Sequence, residues 1–232
     1  MIAKLLRVLL GLFLLPACFA FAKVFYLVLM HSSGVFSEML FLLGGMAAFL
    51  LCWFLLPRPV KMYVLGHELT HALSGMLFGA KASKLKVTDK GGSVNLTKTN
   101  FIITLAPYFF PFYTFVVGIA ALIVLIFVRP LPLIPLWVAL VGFTWAFHLL
   151  FTLDSLSQRQ PDILTYGKML SWTFIFLANI SIVLLWFSAV SSVTFSFVMS
   201  ALYGALIDSY VWVGNAISAL CNLILESLRG EL

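Results

Sequence analysis

YVLGHELTHALSG, residues 63–75, sets two histidines and a glutamate inside an apolar run. The whole chain has 4 histidines, and at that usage a chance H-E-x-x-H is expected in roughly one chain in a thousand. In a helix, His67 and His71 lie one turn apart on one face, with Glu68 beside them. Two neutral imidazoles so spaced can hold one Zn²⁺ from a single rigid element, given a third protein ligand and a fourth position open to water. The metal acidifies that water and a neighbouring carboxylate takes the proton, which makes Glu68 the candidate general base. Histidines that only pack are the plainer alternative. It fits poorly, because ionisable side chains each cost a few kcal/mol in lipid unless paired or hydrated.

Lipid is the solvent that the composition demands. Of 232 residues, 63% are hydrophobic and 9% charged, and the mean hydropathy is +1.13. A soluble domain carries about a quarter charged residues, so this chain cannot cover a water-facing globule. Its net charge of +6 does not indicate nucleic acid, because the basic residues flank apolar segments, where membrane topology places them. Cys18, Cys52 and Cys221 are scattered through apolar runs and form no C-x-x-C pair, which makes them packing residues.

A membrane span needs about 20 apolar residues. That rule predicts helices over 4–30, 35–57, 101–128, 131–153 and 163–190, with the motif on a shorter helix at 62–79. The first imitates a signal peptide but is too long for one, and reads as an uncleaved membrane helix. Over 193–228, Asp208, Asn215 and Asn222 recur every seven residues. That polar stripe predicts a helix lying in the interface or turning the stripe inward. KASKLKVTDKGGSVNLTKTN (81–100) is the one sizeable polar segment, and its alternation around DKGG predicts a β-hairpin. The expected fold is a single-domain, all-α polytopic bundle of about five to seven hydrophobic helices, with a short β-hairpin after the motif helix.

With GHELTHALSG (66–75), FGAK (78–81), the hairpin segment and NFIITLAPYFFP (100–111), the chain resembles the site-2 proteases, the intramembrane zinc metallopeptidases, over residues 60–190. The resemblance implies a zinc cofactor and hydrolysis of a peptide bond in or near a substrate's transmembrane segment. It implies a membrane-protein or peptide substrate within the lipid bilayer. Chain size and the family's distribution point to a bacterial inner membrane. The family's usual third ligand is an aspartate in an Asn-x-x-Pro…Leu-Asp-Gly element, which this chain lacks.

Candidates for the third ligand are Asp162, Asp154, His148 and Glu38. Leu153-Asp154-Ser155 is superficially like Leu-Asp-Gly, and is expected in the loop that ends a span. Asp162 follows Pro161, which suits the first position of a helix, and should open the helix 163–190. QPDI followed by Tyr166-Gly167 also looks like the aspartate element of the family's shorter, divergent branch. Asp162 is the preferred ligand and Asp154 the alternative; His148 is expected to pack.

His67 lies six residues past Lys61, about 9 Å along the helix axis. Asp162 must reach it from the same side, which favours a motif helix that re-enters rather than crosses; the alternative is that one of the segments counted as spanning does not cross. The hairpin could offer an edge strand to an extended substrate, with Val94 and Leu96 as contact residues. Asn100 and Asn179 are expected to serve structural hydrogen bonds. Two other classes are open: a zinc-binding membrane regulatory or binding protein without proteolysis, and a transporter. The intact Glu68 argues against the first, and the clustering of ionisable groups at one level against the second.

Overall fold

A computed structural model describes residues 2–32, 36–129 and 132–230; the expected helix starts at 35 and 131 fall outside them. The helices are α1 (Ile2–Phe13), α2 (Leu15–His31), α3 (Phe36–Leu55), α4 (Val60–Leu77), α5 (Phe101–Phe109), α6 (Phe112–Phe127), α7 (Ile134–Ser157), α8 (Pro161–Tyr166), α9 (Lys168–Val190) and α10 (Phe195–Gly230). Strands β1 (Ala82–Thr88) and β2 (Gly91–Leu96) form an antiparallel hairpin between α4 and α5. The chain is therefore an all-α polytopic membrane protein with one small sheet. Among the described residues, 5 helical stretches are long and apolar enough to cross a membrane, or 6 if the bent pair α5–α6 forms one span. The motif helix α4 is not among them.

The chain falls into two compact units, residues 1–34 with 172–232, and residues 35–171. In the first, α2 and α10 are joined by an ion pair of 3.1 Å between Lys23 and Asp208, and Tyr210 donates to the Phe13 carbonyl at 2.8 Å. Asn215, Ser218, Asn222 and Glu226 are all exposed, so the outer half of α10 keeps its polar stripe free of the unit's interior. Asn179 donates to the Ile175 carbonyl of its own helix at 2.9 Å.

The second unit is built on α3 and α7. A Cβ added to Gly45 or Gly142 would collide with the carbonyl oxygen of Ala139 or Leu42, respectively. Small residues let these two backbones meet, as in membrane helix pairs generally. Next to this contact, Phe49 packs edge-on against Phe143 and Phe147 at 5.0 and 5.4 Å, and Trp53 against Phe151 at 4.9 Å.

Two expected spans break where backbone chemistry requires it. Instead of one helix over 101–128, α5 and α6 meet at a bend of 72°. Pro111 lacks an N–H and pushes Phe110 out of helical geometry, to φ −93 and ψ 106. Asp162 does not open a helix running to 190; it sits in the six-residue α8, which Gly167 ends at φ +89. In the opposite direction, α7 runs on to Ser157, because no glycine or proline interrupts it after Gly142. Asp154 is thus helical rather than in a loop.

These breaks set the path that positions the site. The Tyr113 hydroxyl donates to the Met62 carbonyl at 2.6 Å, while His71 Nδ1 lies 2.9 Å from the Ile103 carbonyl oxygen. The segment from Ile103 to Tyr113 therefore runs back along α4 to the level where α4 begins. The end of α7 reaches that level too: Arg58 pairs with Asp154 at 3.6 Å, and Tyr63 bonds Ser155 at 2.6 Å. Asp162 follows eight residues after Asp154 and so arrives from the same end of α4 as its first turns.

Candidate metal centre

His67, His71 and Asp162 come together although 91 residues separate His71 from Asp162. Asp162 Oδ2 lies 3.5 Å from His67 Nε2 and 3.3 Å from His71 Nε2. One ligand atom from each of the three residues falls within 4.8 Å of the others. Tetrahedral zinc with ligands at about 2.0–2.1 Å separates those ligands by about 3.3–3.4 Å. The two nitrogen-to-oxygen separations match that spacing.

The chemistry of the donors fits a cation as well. Both ring nitrogens of His71 face oxygen, Nδ1 toward the Ile103 carbonyl at 2.9 Å and Nε2 toward Asp162 at 3.3 Å. A neutral imidazole has a single N–H, so one of those contacts is repulsive unless the ring is protonated or a cation stands at Nε2. The carbonyl fixes the proton on Nδ1 and leaves the Nε2 lone pair for a metal. His67 Nδ1 lies 3.3 Å from the Tyr63 hydroxyl, which can accept its proton or donate to its lone pair. Tyr63 is held in turn by Ser155 and by stacking on Phe151, with ring centroids 4.6 Å apart and planes 7° from parallel.

Electrostatics binds the same residues together. Burial opposes the charged form of Asp162, yet the hydrogen bonds and charges of His67 and His71 hold its carboxyl well below the usual carboxylate range. Burial also opposes a charge on His71, but Asp162 and the Ile103 carbonyl outweigh it, and the pKa of His71 is raised. Glu68 is buried, and burial lifts its carboxyl above the ordinary value despite the two histidines. A raised carboxyl pKa suits a group that must both take and return a proton.

A cavity of about 510 Å³ opens onto these groups. Its walls include Glu68 and Asp162 together with Val94 and Leu96 of the hairpin. Thr97 N–H donates to the Lys81 carbonyl at 3.1 Å, across to the β1 side of the hairpin. By alternation along β2, the backbone groups of Val94 and Leu96 point away from β1. The Val94 N–H accordingly faces the Glu68 carboxylate. Gly92 makes this approach possible, because a Cβ there would come within 2.6 Å of Val64 Cγ1 and 2.7 Å of Glu68 Cγ. Leu96 packs its methyl groups against Gly75, and Lys61 pairs with Asp89 at 3.1 Å, so the hairpin is pinned to α4 at both ends.

The other sequence candidates lie elsewhere. Asp154 is engaged by Arg58 and accepts from Gln158 Nε2 at 2.9 Å, outside the histidine cluster. His148 is buried on α7 beside Gly66 and Thr70, and Glu38 is exposed on α3, where it accepts from Ser37 at 2.8 Å. Asn100 caps α5, accepting from the Ile103 N–H at 2.9 Å. Sequence reasoning missed Tyr63, Ser155 and Tyr108. Tyr63 could have been found, since it precedes His67 by one helical turn, as His67 precedes His71. Tyr108, whose hydroxyl donates to Asp162 at 3.2 Å, carries no such signal. The chain matches no protein-family model, no curated protein and no solved structure.

Proposed function

We propose that the chain is an intramembrane zinc metalloprotease that hydrolyses a peptide bond in or near a substrate's transmembrane segment. The observation that carries this reading is Glu68 beside the His67–His71–Asp162 cluster, in a cavity bordered by the outer edge of β2. His67, His71 and Asp162 would hold the ion, which supplies Lewis acidity toward water and a peptide carbonyl. Glu68 takes the proton from the attacking water and passes it to the leaving amine. The outward backbone of β2 at Val94 and Leu96 holds the substrate extended, which a helical segment must become before its backbone is open to attack. Water enters along the cavity's polar wall, where Ser93, Thr99 and Gln160 lie.

The resemblance of GHELTHALSG to site-2 proteases, together with chain size, supports a bacterial inner membrane as the location. The test is Glu68→Gln in purified protein, with a membrane peptide as substrate. The reading expects zinc to stay bound and cleavage to fall by at least about 100-fold, the scale of a lost general base. Cleavage at the wild-type rate would remove Glu68 from the chemistry. A zinc-loaded wild type that cleaves no membrane peptide, while the protein still binds a membrane partner, would favour the regulatory alternative.

A further inference from the structure

We infer that Tyr108 is the positioning residue of this centre, fixing the Asp162 carboxylate through its hydroxyl. The inference rests on the metal centre proposed above. The two histidines stand on an 18-residue helix, but Asp162 stands on a helix of six residues bounded by Gln158–Gln160 and Gly167. The backbone of that short helix is anchored, since Ile163 is 2% exposed and its carbonyl accepts from Ser171 at 3.1 Å. Nothing in that anchoring sets the rotation of the carboxylate itself.

Tyr108 can set it. It comes from α5, the helix whose Ile103 carbonyl orients His71, and it is 0% exposed. Its hydroxyl donates to Asp162 Oδ2 at 3.2 Å, the oxygen that lies nearest both histidines. Its ring meets His67 edge-on, with centroids 5.3 Å apart and planes at 87°. One side chain thus touches two of the three ligands, donating to one and walling the other. A carboxylate oxygen has lone pairs for both a hydrogen bond and a metal, so the contact orients Oδ2 without displacing an ion. Groups in this role change metal affinity by about 10–100-fold when removed.

Tyr108→Phe keeps the ring against His67 and deletes only the hydroxyl. Tyr113→Phe is the control: it also deletes a phenol hydrogen bond, to the Met62 carbonyl at 2.6 Å, but touches no ligand. The zinc Kd of each full-length variant is measured by competition with a chelator, and the visible spectrum is recorded with Co²⁺ in place of zinc. The inference expects Tyr108→Phe to raise the Kd about 10–100-fold and alter the Co²⁺ band, with Tyr113→Phe like wild type. An unchanged Kd and band in Tyr108→Phe would overturn it. So would an equal loss in both variants, which would reflect general loosening of α5 and α6. A folded wild type that binds neither ion would overturn the metal centre itself, and this inference with it.

Discussion

His71 Nε2 stands 3.3 Å from Asp162 Oδ2, with its other ring nitrogen committed to the Ile103 carbonyl. This contact brings α4, α5 and α8 to one point, and it makes metal binding a competition with a proton. Because the pKa of His71 is raised, its ring holds that proton to higher pH than an ordinary histidine. Zinc affinity should therefore fall as pH drops, with the fall beginning above the ordinary imidazole pKa of about 6.5. Isothermal titration across pH 5.5–8.5, roughly a span around that value, reads the proton release directly. An affinity flat across this range would mean that His71 does not ligate the metal.

Gly92 should tolerate no side chain. Alanine there must push aside Val64, Glu68 or the Lys86 carbonyl, which its Cβ would meet at 2.6, 2.7 and 2.8 Å. Overpacking of this kind costs about 1–3 kcal/mol. Gly92→Ala should lower the thermal midpoint and, by displacing Glu68, slow turnover more than it weakens zinc binding. A variant with wild-type stability and rate would show that the hairpin does not press on α4.

The outward edge of β2 should matter to substrate and not to metal. Leu96→Pro removes an N–H directed away from β1, so the pairing between the strands survives. Val94→Pro also removes the N–H that faces Glu68, and Leu96→Pro the methyl packing on Gly75, so the edge role is read from the effect the two share. Both should reduce cleavage of a membrane peptide while zinc content stays at the wild-type level. Undiminished turnover in Leu96→Pro would remove the edge-strand role.

Much of this arrangement was legible in the residues. Composition required a membrane, hydropathy marked the spans, and the alternation around DKGG marked the hairpin. Helical spacing placed His67, Glu68 and His71 together. The breaks were harder to see, because Pro111 and Gly167 lie in or beside runs apolar enough to hide an interruption. Asp154 was expected in a loop because the predicted span ended at 153, yet nothing there stops α7, and Arg58 pairs with the carboxylate. Tyr108 and Ser155 were invisible, because their roles depend on which helices return to the level of Tyr63. That is a property of the path, and no spacing within one segment encodes it.

The most direct test is zinc per purified protomer in wild type, His67→Ala, Asp162→Ala and Asp154→Ala. Close to one zinc is expected in wild type and in Asp154→Ala, and its loss in the other two. Zinc lost with Asp154 and kept without Asp162, or no zinc in a folded wild type, would contradict this metal centre.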